Sequence, residues 1–151
     1  MKTLVRIAVL AAPALASVLF LAACGSPAPP AGASPSSDGE PTAELTVVVV
    51  RAPGEPEQEW MLTCDGLSPL PGSTHPTAAE ACALIHDRPE VLSPPDPHQA
   101  CTEQYGGPDV ARVTGTLRGA PVDRTFDRTN GCGISSWDAS IALIGEPGGA
   151  V

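Results

Sequence analysis

The cysteines constrain this chain more than any other feature. Cys24 closes an apolar run near the N-terminus, while Cys64, Cys82, Cys101 and Cys132 are spread through the residues that follow. In an exported protein an even set of four fits two disulfides, which leaves Cys24 to a different fate. Four cysteines allow three pairings, of which Cys64–Cys82 with Cys101–Cys132 is one, and counting does not choose among them. On the loop-entropy account each such bridge would contribute about 3–4 kcal/mol, a large share of the stability of a small domain. A zinc site is the rival use, with His75, His86 or His98 as further ligands. No Cys-x-x-Cys or His-x-x-x-His pair supplies the usual spacing, so neither a metal nor another cofactor is expected.

The start of the chain is a targeting segment. Met1 to Arg6 is short and basic, and Ile7 to Ala23 is almost wholly apolar. Small residues then precede Cys24, the pattern of a secretory signal. The run is near the length of a membrane span, so an uncleaved anchor is the alternative. Pro13, the abundant alanine and the ending Leu21-Ala22-Ala23-Cys24 argue against it. That ending resembles the bacterial lipobox, which implies a signal peptide over 1–23 and a lipidated Cys24 as the first mature residue. A diacylglycerol with a further acyl chain suffices for stable anchoring, because single chains hold only weakly. The expected location is extracytoplasmic and lipid-anchored to the cell membrane, with plain secretion as the alternative. Losing Lys2 and Arg6 with the signal leaves six arginines against all 17 acids, a formal charge of −11. Such a surface disfavours nucleic acid and anionic lipid, so membrane contact is expected through the lipid alone.

Residues 24–42 are rich in alanine, glycine, serine and proline and read as a flexible tether. The folded domain is expected over 43–145, with 146–151 frayed. Glu44 to Arg51 is β-branched and reads as a strand buried on both faces. Gln58 to Cys64 reads as its antiparallel partner, because the connection is short. Asp65 to Gly72 reads as a loop. Thr77-Ala78-Ala79-Glu80 has the spacing of a capping box opening a helix to about His86, which Pro89 stops. Asp109 to Leu117 and Pro121 to Phe126 form a hairpin about Arg118-Gly119-Ala120, with a bulge or close packing at Gly115. Asp127 to Gly133 reads as a polar loop holding Cys132, and Ser140 to Ile144 as a last strand. The sum is α+β: a five-stranded antiparallel sheet with one or two helices on one face.

Between the two halves lies the most distinctive segment. Ser93 to His98 is too rich in proline for a helix and reads as extended. Cys101-Thr102-Glu103-Gln104-Tyr105 follows, ending in the turn signal Gly106-Gly107-Pro108. A polar, exposed segment tied down beside a cysteine has the shape of a protease substrate; the plainer reading is a disulfide-tethered surface loop. If a rigid scaffold keeps such a segment from departing after attack, it blocks the protease, and rigidity lowers the ordering cost of docking. A hydrolase is a distant rival, because the chain has no Gly-x-Ser-x-Gly elbow and His75 precedes a proline. No enzyme activity is expected.

Thr63-Cys64, Gly72-Ser73-Thr74-His75-Pro76, Ala79-Glu80-Ala81-Cys82, Cys101 through Tyr105, Pro108 and Asn130-Gly131-Cys132 together resemble the Streptomyces subtilisin inhibitor family. The resemblance spans about Leu45 to Ile144. It implies a five-stranded antiparallel sheet with two helices, a homodimer through the sheet, and the disulfides Cys64–Cys82 and Cys101–Cys132. It also implies substrate-like inhibition of an extracellular serine protease. Carried over residue by residue, Glu103 enters the protease's primary pocket, Gln104 follows the scissile bond, Tyr105 comes next, and Cys101 and Thr102 precede. The Ala100-Cys101-Thr102 run and Tyr105 also resemble the binding loop of Kazal inhibitors, which implies a Thr102–Gln104 brace and a second brace from Asn130. Two residue types depart from the family. Glu103 stands where Met, Lys or another long side chain is usual, which points to a protease with a basic or polar primary pocket, such as a glutamate-selective one. The alternative is a binding or envelope lipoprotein that retains the inhibitor fold without inhibiting. Gly106-Gly107 is expected to loosen the loop beyond Tyr105.

Overall fold

The computed structural model describes residues 41–148; the expected signal peptide, Cys24 and most of the expected tether lie outside the described residues, as do 149–151. Five strands form one antiparallel sheet in the order β3-β2-β1-β4-β5: β1 Ala43–Val50, β2 Gln58–Asp65, β3 Ser68–Pro69, β4 Val110–Leu117 and β5 Ala120–Asp127. Three α-helices accompany it, α1 Ala78–Asp87, α2 Gly131–Asp138 and α3 Ile141–Ile144, and a 3-10 turn, Pro89–Leu92, follows α1. The α+β architecture expected from the sequence is therefore present. No described helix is long and apolar enough to cross a membrane.

The core explains the arrangement. Along β1, Leu45, Val47 and Val49 are buried while Thr46, Val48 and Val50 are half-buried, so this strand has one core face rather than two. The period of two in side-chain direction sets that alternation. Leu62, Ala111, Val113 and Phe126 extend the same cluster across the sheet. Ala81, Cys82 and Ile85 of α1, Trp137 of α2, and Leu143 and Ile144 of α3 complete it. Full burial of a side chain such as Leu62 or Ile85 is worth about 1.5–3 kcal/mol.

Several local expectations are corrected. Ser140 to Ile144 is not a strand: Leu143 and Ile144 are adjacent and both fully buried, whereas adjacent strand residues point to opposite faces. A four-residue apolar run carries too little periodicity to tell the two apart. The fifth strand is instead Ser68–Pro69, within the stretch read as a loop, paired with Cys64 and Asp65. The loop expected over Asp127 to Gly133 gives way at Gly131 to α2, with Asn130 as its N-cap; the flanking glycines, poor helix formers, hide that start. No capping box forms at α1. The Thr77 hydroxyl donates to the Ala142 carbonyl at 3.1 Å, which ties α1 to α3 instead. At Gly115 the ladders run on without a bulge, and a side chain there would strike the Glu44 carbonyl, so close packing is the reason for the glycine.

Candidate functional site

The proline-rich approach bends rather than running straight. The Asp96 carboxylate accepts from the His98 amide at 2.8 Å and the Asp96 carbonyl from the Gln99 amide at 3.2 Å, an aspartate-stabilised turn. From Ser93 to Tyr105 every residue is exposed. Tyr105, at 65 %, is the most exposed large apolar side chain among the described residues. An aromatic ring held in water on a polar segment is the kind of group interfaces use.

Both cysteine pairs are disulfides. Cys64–Cys82 joins β2 to α1 inside the core, with both residues fully buried. Cys101–Cys132 joins the exposed segment to the first turn of α2, with the Cα atoms 5.4 Å apart. The same first turn supplies a backbone pin, the Gly131 amide donating to the Thr102 carbonyl at 3.0 Å. A side chain at position 131 would collide with the Thr102 hydroxyl, so glycine is what lets helix and segment approach so closely.

A second pin lies four residues on. The Gly106 amide donates to the Arg128 carbonyl at 2.8 Å, and the Arg128 Nε donates back to the Gly106 carbonyl at 3.1 Å. A Cβ on Gly106 would sit 2.6 Å from Ile134 Cγ1, so here too glycine serves contact. This overturns the expectation that Gly106 loosens the loop: its backbone is bonded on both sides. Arg128 is 13 % exposed and its Nη1 lies 4.0 Å from Asp138. Beyond the pins, Asp109 is buried at the start of β4, and its carboxylate accepts from the Gly148 amide.

Between the pins Glu103, Gln104 and Tyr105 make no hydrogen bond among the described residues, and none joins Thr102 to Gln104. The Asn130 amide oxygen accepts from Gly133 at 2.9 Å and so holds the start of α2, one residue from the pin at Gly131. Both pins thus come from a single connection, Arg128 to Gly131, between β5 and α2. Asp127 stiffens its entrance by accepting from the Thr129 amide and hydroxyl at 2.9 and 2.6 Å. Sequence reasoning missed Arg128 and Ile134, and gave no role to Gly131 although it lies in the Asn130-Gly131-Cys132 run that carries the resemblance. The signal for Arg128 and Ile134 was position alone, within a few residues of Cys132, because a backbone clasp leaves no side-chain motif.

His75 is not part of this site. Its Nε2 donates to the Leu143 carbonyl at 2.7 Å and its Nδ1 accepts from the Thr77 amide at 3.2 Å, which fixes a neutral ring between α1 and α3. Burial pushes its pKa below the ordinary imidazole value, and the bond to Leu143 opposes that in part. Among the described residues no cluster of His, Cys, Asp and Glu could hold a metal ion.

No family model matches the chain. A subtilase-type protease inhibitor from Streptomyces fradiae is 34 % identical over 118 residues, covering 71 % of this chain and 80 % of that relative. The chain belongs to the family of subtilase-type protease inhibitors. A chain in the crystal structure of Streptomyces caespitosus sermetstatin in complex with Bacillus licheniformis subtilisin is 22 % identical with a TM-score of 0.42, over 66 % of this chain and 96 % of that one.

Proposed function

We propose that the domain is a serine endopeptidase inhibitor that presents Cys101 to Tyr105 as a substrate-like bait, with Glu103–Gln104 as the scissile bond. One observation carries this reading: three exposed residues without hydrogen bonds of their own hang between two backbone pins, one of them beside a disulfide. Membership in the inhibitor family supports it. The serine oxygen of the protease attacks the Glu103 carbonyl carbon, the bond to the Gln104 nitrogen breaks, and that nitrogen leaves with a proton. With both ends held, the freed amine stays against the acyl-enzyme and can displace the serine oxygen, which regains its proton as the peptide bond reforms. Amines held in this way reach effective concentrations of about 10⁵ M or more, enough to favour resealing over hydrolysis.

Glu103 sets the target. An unpaired carboxylate in an apolar pocket costs several kcal/mol, so the fitting partner is a protease whose primary pocket is basic or polar, such as a glutamate-selective one. Inhibition constants across glutamate-selective and apolar-pocket enzymes, for the wild type and Glu103→Met, test this. Absence of inhibition by both proteins would sink the reading.

On the same proposal Cys24 is lipidated and holds the inhibitor on the outer face of the membrane, as the Leu21-Ala22-Ala23-Cys24 ending supports. The mass of the mature N-terminus checks it. A homodimer through the open face of the sheet is a further proposal, which sedimentation at micromolar concentration tests by its mass.

A further inference from the structure

We infer that Arg128 is the positioning residue for the leaving-group side of the bait, holding Gln104 in place after the bond is cut; the inference rests on the bait reading above. On the acyl side two devices secure the chain, the Cys101–Cys132 disulfide and the bond from Gly131 to the Thr102 carbonyl. On the amine side no disulfide is present, and β4 begins only at Val110, six residues beyond Gln104. The tie nearest the new amino terminus is Gly106, two residues away, and both of its backbone groups are bonded to Arg128.

The two bonds differ in kind. The Gly106 amide bonds to the Arg128 carbonyl, which any residue at 128 would supply. The Gly106 carbonyl takes its bond from the guanidinium, a charge-assisted contact from a largely buried side chain. Without the guanidinium, Gly106 turns about one bond instead of being held by two, and Gln104 swings with it. Ile134 closes the clasp from the third side, because it leaves no room for a Cβ at 106.

The consequence is kinetic. Resealing needs the Gln104 amine to stay at the acyl carbon; an amine that drifts away yields to water, which hydrolyses the acyl-enzyme and releases a cut inhibitor. Arg128 therefore governs the ratio of intact to cut inhibitor and the lifetime of inhibition. Encounter with the protease depends on the exposed residues 103–105 and is little affected.

The test uses the whole domain with a serine endopeptidase that the wild type inhibits. Arg128→Ala removes the guanidinium, and Arg128→Lys removes Nε while keeping charge and stem, which guards against a variant that fails to fold. Both should associate at close to the wild-type rate and then be cut at Glu103–Gln104 roughly ten- to a hundredfold faster, the worth of one charge-assisted hydrogen bond. In the free variants the Gly106 amide should exchange with solvent faster, a readout that needs no protease. Folded variants whose cut fraction and Gly106 exchange match the wild type overturn the role of Arg128 alone. A wild type that neither inhibits nor is cut at Glu103–Gln104, with Gly106 exchange still raised in the variants, overturns the bait reading and leaves the clasp as architecture.

Discussion

Gly131→Ala separates the stability of the fold from the order of the segment proposed as bait. The added methyl overlaps the Thr102 hydroxyl. The Thr102 Cβ, 3.4 Å from the new carbon, would be in ordinary contact, so the overlap falls on the hydroxyl, and Thr102 either changes rotamer or draws the segment away from residue 131. The expected outcome is the second, with the bond from the residue 131 amide to the Thr102 carbonyl lengthened or broken. Losing that bond costs about 1 kcal/mol of folding stability. Alanine recovers up to about 1 kcal/mol of helix propensity in the first turn of α2, so the two nearly cancel. The Tm should therefore move by no more than about 5 °C. Inhibition has no such compensation. Freeing one or two backbone residues of the bait, at about 1–2 kcal/mol each on docking, weakens inhibition roughly ten- to a hundredfold or more. Thermal melts and inhibition constants on the same samples read both effects. Adding Thr102→Ala removes the overlapping oxygen and should restore much of the affinity. An unchanged inhibition constant, or one that rises only as far as the loss of folded protein explains, contradicts this expectation.

Two further outcomes follow from other parts of the chain. His75 is depressed by burial, so the unfolded chain takes up its proton at higher pH than the folded one; stability should fall as pH drops through about 6.5, the ordinary imidazole value, towards the lower folded value. His75→Gln should flatten that part of the Tm–pH curve, and a parallel curve would contradict it. The mature protein should begin at Cys24 with the added mass of a diacylglycerol and a fatty acyl group; an unmodified cysteine, or a start elsewhere, contradicts the anchor.

What the sequence made legible follows from which interactions leave a local pattern. The β-branched run of β1, the turn at Arg118-Gly119 and the alanine-rich α1 each carry a period or a punctuation mark, and each lies where that mark indicates. The Cys101–Cys132 bridge came from a resemblance rather than from spacing. Ser68–Pro69 was illegible because two residues carry no period, and α3 because burial by Trp137 and α1, rather than its own pattern, decides its shape. At the site, the exposed segment was visible in its proline, polar residues and tyrosine. The pins were not, because Gly106 and Gly131 act through backbone groups and Arg128 meets the segment 22 residues away in sequence. Glycine in a loop signals freedom by default, yet here both glycines serve close contact.

On the proposal above, Glu103 is the residue a protease reads. The most direct measurement is a crossed pair of inhibition constants, wild type and Glu103→Met, each against a glutamate-selective and an apolar-pocket serine endopeptidase. An exchange of preference is expected: the wild type favours the glutamate-selective enzyme, and the variant favours the other by about a hundredfold or more, as several kcal/mol of carboxylate burial requires. Two proteins with the same preference, each inhibiting as well with Met as with Glu, would show that the protease contacts this domain somewhere other than Glu103.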